Sequence, residues 1–271
     1  MVHTGYNPAL VALSIGLSIF ASYTALDLGA RIRGPVPGAQ WPWIAGAALA
    51  MGGGIWSMHF VGMLAFEMGL PAAYDLGLTL LSLLIAIAFT GAAFLWVAYQ
   101  GEGLAGLLIA GPLMGLGVAA MHYTGMAALQ ISGRLAYSVP VVALSVAIAV
   151  TAATAALWLA FRQHGVWQKL AAASIMGLAV AGMHYTGMAA ATITASEAGA
   201  HVAHAGLVTQ RQENLALYVA GATFLILFLA MLASSIDQQR VQRELLASEA
   251  RFRAAVQAVR GVLWTLSLIH I

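Results

Sequence analysis

Three histidines stand in nearly identical surroundings: Met51-Gly52-Gly-Gly-Ile-Trp-Ser-Met58-His59-Phe-Val-Gly62-Met63, Met114-Gly115-Leu-Gly-Val-Ala-Ala-Met121-His122-Tyr-Thr-Gly125-Met126, and Met176-Gly177-Leu-Ala-Val-Ala-Gly-Met183-His184-Tyr-Thr-Gly187-Met188. Nine of the 12 methionines fall in this pattern, so methionine is placed rather than scattered. Imidazole nitrogen suits copper, zinc, iron and nickel, and thioether sulfur is soft and favours Cu(I). No carboxylate lies in the cluster, which argues against hard cations such as Mg2+ or Ca2+. The chain has no cysteine, so thiolate ligation, disulfides and thiol redox chemistry are excluded. Copper is the metal that this ligand set selects best.

Helix geometry decides which of these residues can act together. A residue four positions on lies about 40° round and one turn further along. His59/Met63, His122/Met126 and His184/Met188 can therefore point at a common spot and are the expected metal ligands. Met58, Met121 and Met183 lie about 100° round and are only possible additional ligands. His201 and His204, at i, i+3 spacing in a loop, are also possible additional ligands. The glycines seven before each histidine (Gly52, Gly115, Gly177) return to nearly the same face, and small residues there let helices approach closely in lipid. Tyr123, Thr124, Tyr185 and Thr186 are placed to donate hydrogen bonds to the imidazoles. A structural origin stays open: duplication copies a packed histidine as readily as a ligand, and a methionine stripe can be core filling.

The elements that must hold this cluster are membrane helices. The chain has 271 residues, 62% hydrophobic and 7% charged, against roughly 25% charged in soluble domains. Seven stretches reach the length of a span: 8–28, 44–66, 76–99, 104–129, 139–161, 170–193 and 215–236. The fold class is an all-α membrane protein of three two-helix repeats plus a seventh connecting helix. The partner helices repeat faintly, with Val11-Ala-Leu-Ser14 matching Val142-Ala-Leu-Ser145. Segments between the helices read as loops. Residues 1–7 carry no Lys or Arg and do not read as a signal peptide. With the N-terminus outside, nine of the Lys and Arg residues face the cytoplasm and only Arg134 and Arg211 the outer side, so the C-terminus is expected inside. The three histidines then sit on helices of the same direction, roughly 10–14 Å below the outer surface, where a ring around the bundle axis is plausible.

After residue 236 the composition turns polar, and 237–249 reads as a cytoplasmic linker helix. The last six residues, 266–271, read as a sequencing artefact, which sets His270 aside. No P-loop, dinucleotide fingerprint or nucleophile elbow is present, so the chain is not expected to be an enzyme or to bind nucleic acid. Any catalytic output is expected in a missing C-terminal part.

The strings Met121-His-Tyr-Thr124 and Met183-His-Tyr-Thr186, with the variant Ser57-Met-His-Phe60, resemble the signature of the MHYT family. Residues 8–214 would form its sensor domain, and 250–265 resemble the opening of a PAS domain. The resemblance implies a multi-pass sensory module of the bacterial cytoplasmic membrane, joined to cytoplasmic PAS and output domains in the same chain. It further implies copper held by His and Met, sensing a redox state or a diatomic gas: oxygen, carbon monoxide or nitric oxide. Cysteine, one of the family's suggested ligands, is missing here. A homodimer is possible. Haem ligation by two histidines, a metal or small-solute transporter or channel, and a purely structural membrane anchor remain the alternatives.

Overall fold

A computed structural model describes residues 5–33, 40–67, 72–100, 103–131, 133–162, 165–195 and 209–269. His3, His164, His201 and His204 lie outside the described residues. Seven helices are long and apolar enough to cross a membrane. These are α1 (Pro8–Gly29), α2 (Trp41–Ala65), α3 (Leu76–Gln100), α4 (Leu104–Ala127), α5 (Val139–Arg162), α6 (Val166–Ala190) and α7 (Gln212–Ile269). Asn7 caps α1, its side-chain oxygen accepting from the amides of Ala9 and Leu10.

Seven short strands accompany the helices: β1 (Gly5–Tyr6), β2 (Phe66–Glu67), β3 (Ala73–Asp75), β4 (Leu129–Gln130), β5 (Gly133–Tyr137), β6 (Ala191–Ala195) and β7 (Thr209–Arg211). By hydropathy these segments are expected as loops or helix ends. They pair antiparallel as β1–β2, β4–β3–β7 and β5–β6. The pairs β1–β2, β3–β4 and β5–β6 each join the residues before the first helix of a repeat to those after its second helix. The same bond recurs at each join: the amides of Asn7, Asp75 and Ser138 donate to the carbonyls of Ala65, Ala128 and Ala190. The repeat is therefore strand, helix, helix, strand.

The chain divides into two compact units, Met1–Ala230 and Met231–Ile271. In the first, α1 to α6 form a closed ring: every helix packs on its chain neighbours, and α1 closes against α6. Glycines set the closeness. A Cβ on Gly52 would lie 2.7 Å from the Ile87 backbone, one on Gly115 2.5 Å from Val150 Cα, and one on Gly177 2.6 Å from the Ile19 backbone nitrogen. The three contacts are equivalent, at the α2–α3, α4–α5 and α6–α1 seams. Near the opposite end of α1, Asp27 takes the Lys169 ammonium at 2.6 Å and Arg31 at 3.4 Å, which ties α1 to α6.

The second unit is the remainder of α7. It is helical through 236–249 and on through 250–265, the stretch expected to open a separate domain, and carries an exposed Arg253–Glu249 pair at i, i+4.

Candidate metal centre

The repeated histidines meet on the axis of the ring. His59, His122 and His184 are each fully buried. They come from α2, α4 and α6, the second helices of the three repeats. Their Nδ1 atoms form a triangle with every side 3.2 Å. The rings stand nearly perpendicular to one another, with centroids 5.0 to 5.1 Å apart.

The outer nitrogens are placed just as regularly. His59 Nε2 lies against Gly125, His122 Nε2 against Gly187, and His184 Nε2 against Gly62. A Cβ on Gly62 or Gly187 would stand 2.5 Å from that nitrogen, and one on Gly125 would overlap it as badly. The glycine three residues after each histidine is thus the seat for the imidazole of a neighbouring repeat.

This triangle cannot satisfy itself. Each Nδ1–Nδ1 hydrogen bond needs one protonated and one bare nitrogen, and three mutually adjacent atoms cannot alternate. Among the described residues none of the three buried Nε2 atoms has a hydrogen-bond partner either. Buried polar groups are expensive to leave so. A cation at the centre would accept all three Nδ1 lone pairs and hold the protons on Nε2. A point equidistant from the nitrogens lies about 1.8 Å from each, near the roughly 2.0–2.1 Å of a metal–imidazole bond. The donor set therefore fits a first-row metal ion.

The other expected ligands lie on the same helices. Met63, Met126 and Met188 are buried, as are Met58, Met121 and Met183. The tyrosines do not serve as expected. Tyr123 bonds Ser145 at 2.8 Å and Tyr185 bonds Ser14 at 2.9 Å, each reaching the first helix of the next repeat. Their rings stand edge-on to His122 and His184, and no hydroxyl of Tyr123, Thr124, Tyr185 or Thr186 bonds an imidazole. The reason is geometric: adjacent positions on a helix diverge by about 100°. Ser14 and Ser145 stand in a repeated Val-Ala-Leu-Ser string, but nothing in that string signals that they receive the tyrosines.

The first repeat departs from this scheme. Phe60 stands at the tyrosine position and has no hydroxyl, and Ser82 takes the indole N–H of Trp56 at 3.1 Å instead. Trp56 also reaches the Thr79 carbonyl at 3.1 Å. Ser57, where the other repeats have Ala120 and Gly182, bonds Thr223 of α7.

The segments 52–111 and 115–173 match the MHYT family, described as a bacterial signalling protein N-terminal repeat. These two segments are MHYT repeats. Among its relatives is the bifunctional diguanylate cyclase/cyclic di-GMP phosphodiesterase MucR of Pseudomonas aeruginosa, 43% identical over 94% of this chain and 37% of that protein. The cyclic di-GMP phosphodiesterase NbdA of the same organism is 42% identical over 70% of this chain and 25% of its own length. The signaling protein YkoW of Bacillus subtilis is 28% identical over 98% and 34%. The chain thus spans about a third of the length of these relatives or less. No solved structure matches it. Its seven spans and its relatives make it a multi-pass inner-membrane module of a signalling protein.

Proposed function

We propose that the MHYT module senses through a metal ion held by His59, His122 and His184, with copper favoured and Met63, Met126 and Met188 as thioether partners. The observation that supports this most is the triangle of three buried Nδ1 atoms, each 3.2 Å from the other two. A copper ion there would supply an electron-transfer or gas-binding centre, matched to a redox signal or a diatomic ligand. The protein's own part is to exclude water, fix three lone pairs on one point and seat each ring on a glycine. Haem is disfavoured, because nitrogens this close leave no room for a macrocycle between any two rings.

The response would travel along α7. Ser57 lies two residues before His59 and bonds Thr223, so a shift of α2 reaches α7 directly. The output domain, by analogy with the cyclic di-GMP enzymes among the relatives, would turn over a cyclic dinucleotide. The Lys and Arg bias supports a cytoplasmic C-terminal end for α7 in this reading.

Metal analysis of the full chain in lipid nanodiscs after copper loading is the test. Wild type should hold about one ion per chain. His59→Gln, His122→Gln and His184→Gln should each bind it roughly 100-fold more weakly. Equal metal content in wild type and all three variants would end this reading.

A further inference from the structure

The ring of six helices has three equivalent seams, and a cavity opens at one of them. At the α2–α3 seam α7 covers a space of about 280 Å³, lined chiefly by Gly53, Trp56, Leu80, Leu83, Tyr218 and Ile226. It lies among membrane-spanning segments, and exposed Leu80 and Tyr218 mark its rim.

Two positions in the first repeat form this space. Where α4 and α6 carry Leu116 and Leu178, both pointing outward and about half exposed, α2 carries Gly53. Where they carry Ala119 and Ala181, α2 carries Trp56, which is buried and walls the space. Gly53 is not a packing glycine. A Cβ there would meet only Ile226 Cδ1, at an ordinary 3.6 Å, whereas its neighbour Gly52 lies hard against backbone. The missing leucine leaves volume, not contact.

The buried polar side chains of the lining are already used. The Trp56 indole N–H is held by Thr79 and Ser82, Thr79 Oγ1 donates to Asp75, and Thr223 Oγ1 bonds Ser57 and Val219. Apart from the Tyr218 hydroxyl at the exposed rim, nothing among the described lining side chains remains to recognise a polar ligand. The volume is nearly twice the roughly 150 Å³ of an engineered apolar cavity that takes up benzene, so it accommodates a chain of about ten carbons. The solvent at its rim is hydrocarbon. We infer that the α2–α3–α7 cavity of this protein holds the acyl chain of one bilayer phospholipid, wedged between Trp56 and α7.

The full chain in nanodiscs doped with a phospholipid bearing a diazirine in its acyl chain provides the test, with adducts mapped by mass spectrometry after irradiation. Leu80, Leu83, Tyr218 and Ile226 should be labelled several-fold more than Leu116 and Leu178, which face lipid at the other two seams. Gly53→Leu, which restores the residue type of the other repeats, should bring this excess down to their level. Leu83→Trp fills the same space from α3 and should do likewise, which guards against Gly53→Leu simply displacing α7. Equal labelling at all three seams in wild type would overturn the inference, as would an excess that survives both substitutions. The readout involves no histidine, so its failure would leave the metal centre untouched.

Discussion

On its axis the protein treats the three repeats as interchangeable; at its rim it does not. His59, His122 and His184 make the same three contacts in the same order, and Gly52, Gly115 and Gly177 make the same close approach. At the α2–α3 seam the pattern breaks: Gly53, Trp56, Ser57 and Phe60 replace Leu, Ala, Ala or Gly, and Tyr. The difference has a physical origin. A centre built from three equal donors needs three equal helices, but only one seventh helix exists, and it docks at one seam.

That contrast can be broken most sharply at adjacent glycines. Gly115→Ala drives a Cβ into the backbone of α5 and is expected to cost roughly 2–3 kcal/mol, read by SDS titration of the purified protein, with Gly52→Ala and Gly177→Ala alike. Gly53→Ala, one residue from Gly52, should stay within about 0.5 kcal/mol of wild type. A loss at Gly53 as large as at Gly52 would erase the distinction between a packing glycine and a vacated position.

A smaller effect separates the hydroxyls. Tyr123→Phe and Tyr185→Phe each remove one interhelical hydrogen bond and should cost roughly 0.6–1 kcal/mol, about equally. Ser57→Ala should cost a similar amount, but its loss should appear in α7. Spin labels placed on α7 and α2 should report a wider distance distribution there, with the histidine centre's metal content unchanged. An unchanged distribution would show that Thr223 does not hold α7 to α2.

The smallest effect concerns the strands. Tyr6, Tyr74 and Tyr137 each stack on the aromatic residue after a histidine, at 5.5, 5.4 and 5.8 Å. Burial, helped by Tyr185 and Tyr123 respectively, pushes the Tyr6 and Tyr137 phenols up to about 12. Tyr74, at the α2–α3 seam, is almost fully covered, and burial raises it further. A raised phenol favours the folded state below the ordinary value of 10.0 and loses that contribution as pH climbs through about 12. Phenolate absorbance should therefore show Tyr6 and Tyr137 ionising together near pH 12 and Tyr74 after them. Ionisation of any of the three near pH 10 would contradict the packing.

Much of this was legible in the residues. Hydropathy places all seven helices, with ends shifted by a few residues: α2 begins at Trp41 rather than 44, and α6 at Val166 rather than 170. Equal spacing and equal depth of the histidines make a ring around the axis plausible, and the three meet there. The direction of Nδ1 was hidden, because it depends on side-chain rotation and not on helical phase. The strands were hidden because most span two or three residues, too few for a pattern. β5 and β6 are five residues each, and Thr192-Ile193-Thr194 carries a β-branched signal that could have exposed them. The cavity was visible only as Gly53 against Leu116 and Leu178, a difference that means nothing until α7 is seen to cover it.

The seating of each imidazole has a mechanical consequence. His59 rests on α4, His122 on α6 and His184 on α2, so the order closes on itself. A displacement of one helix is handed to the next and returns to where it started. Coupled in this way the three motif helices would move as a linked set, like the blades of an iris, and in the proposed relay a single follower on α2 would register the aperture of the whole.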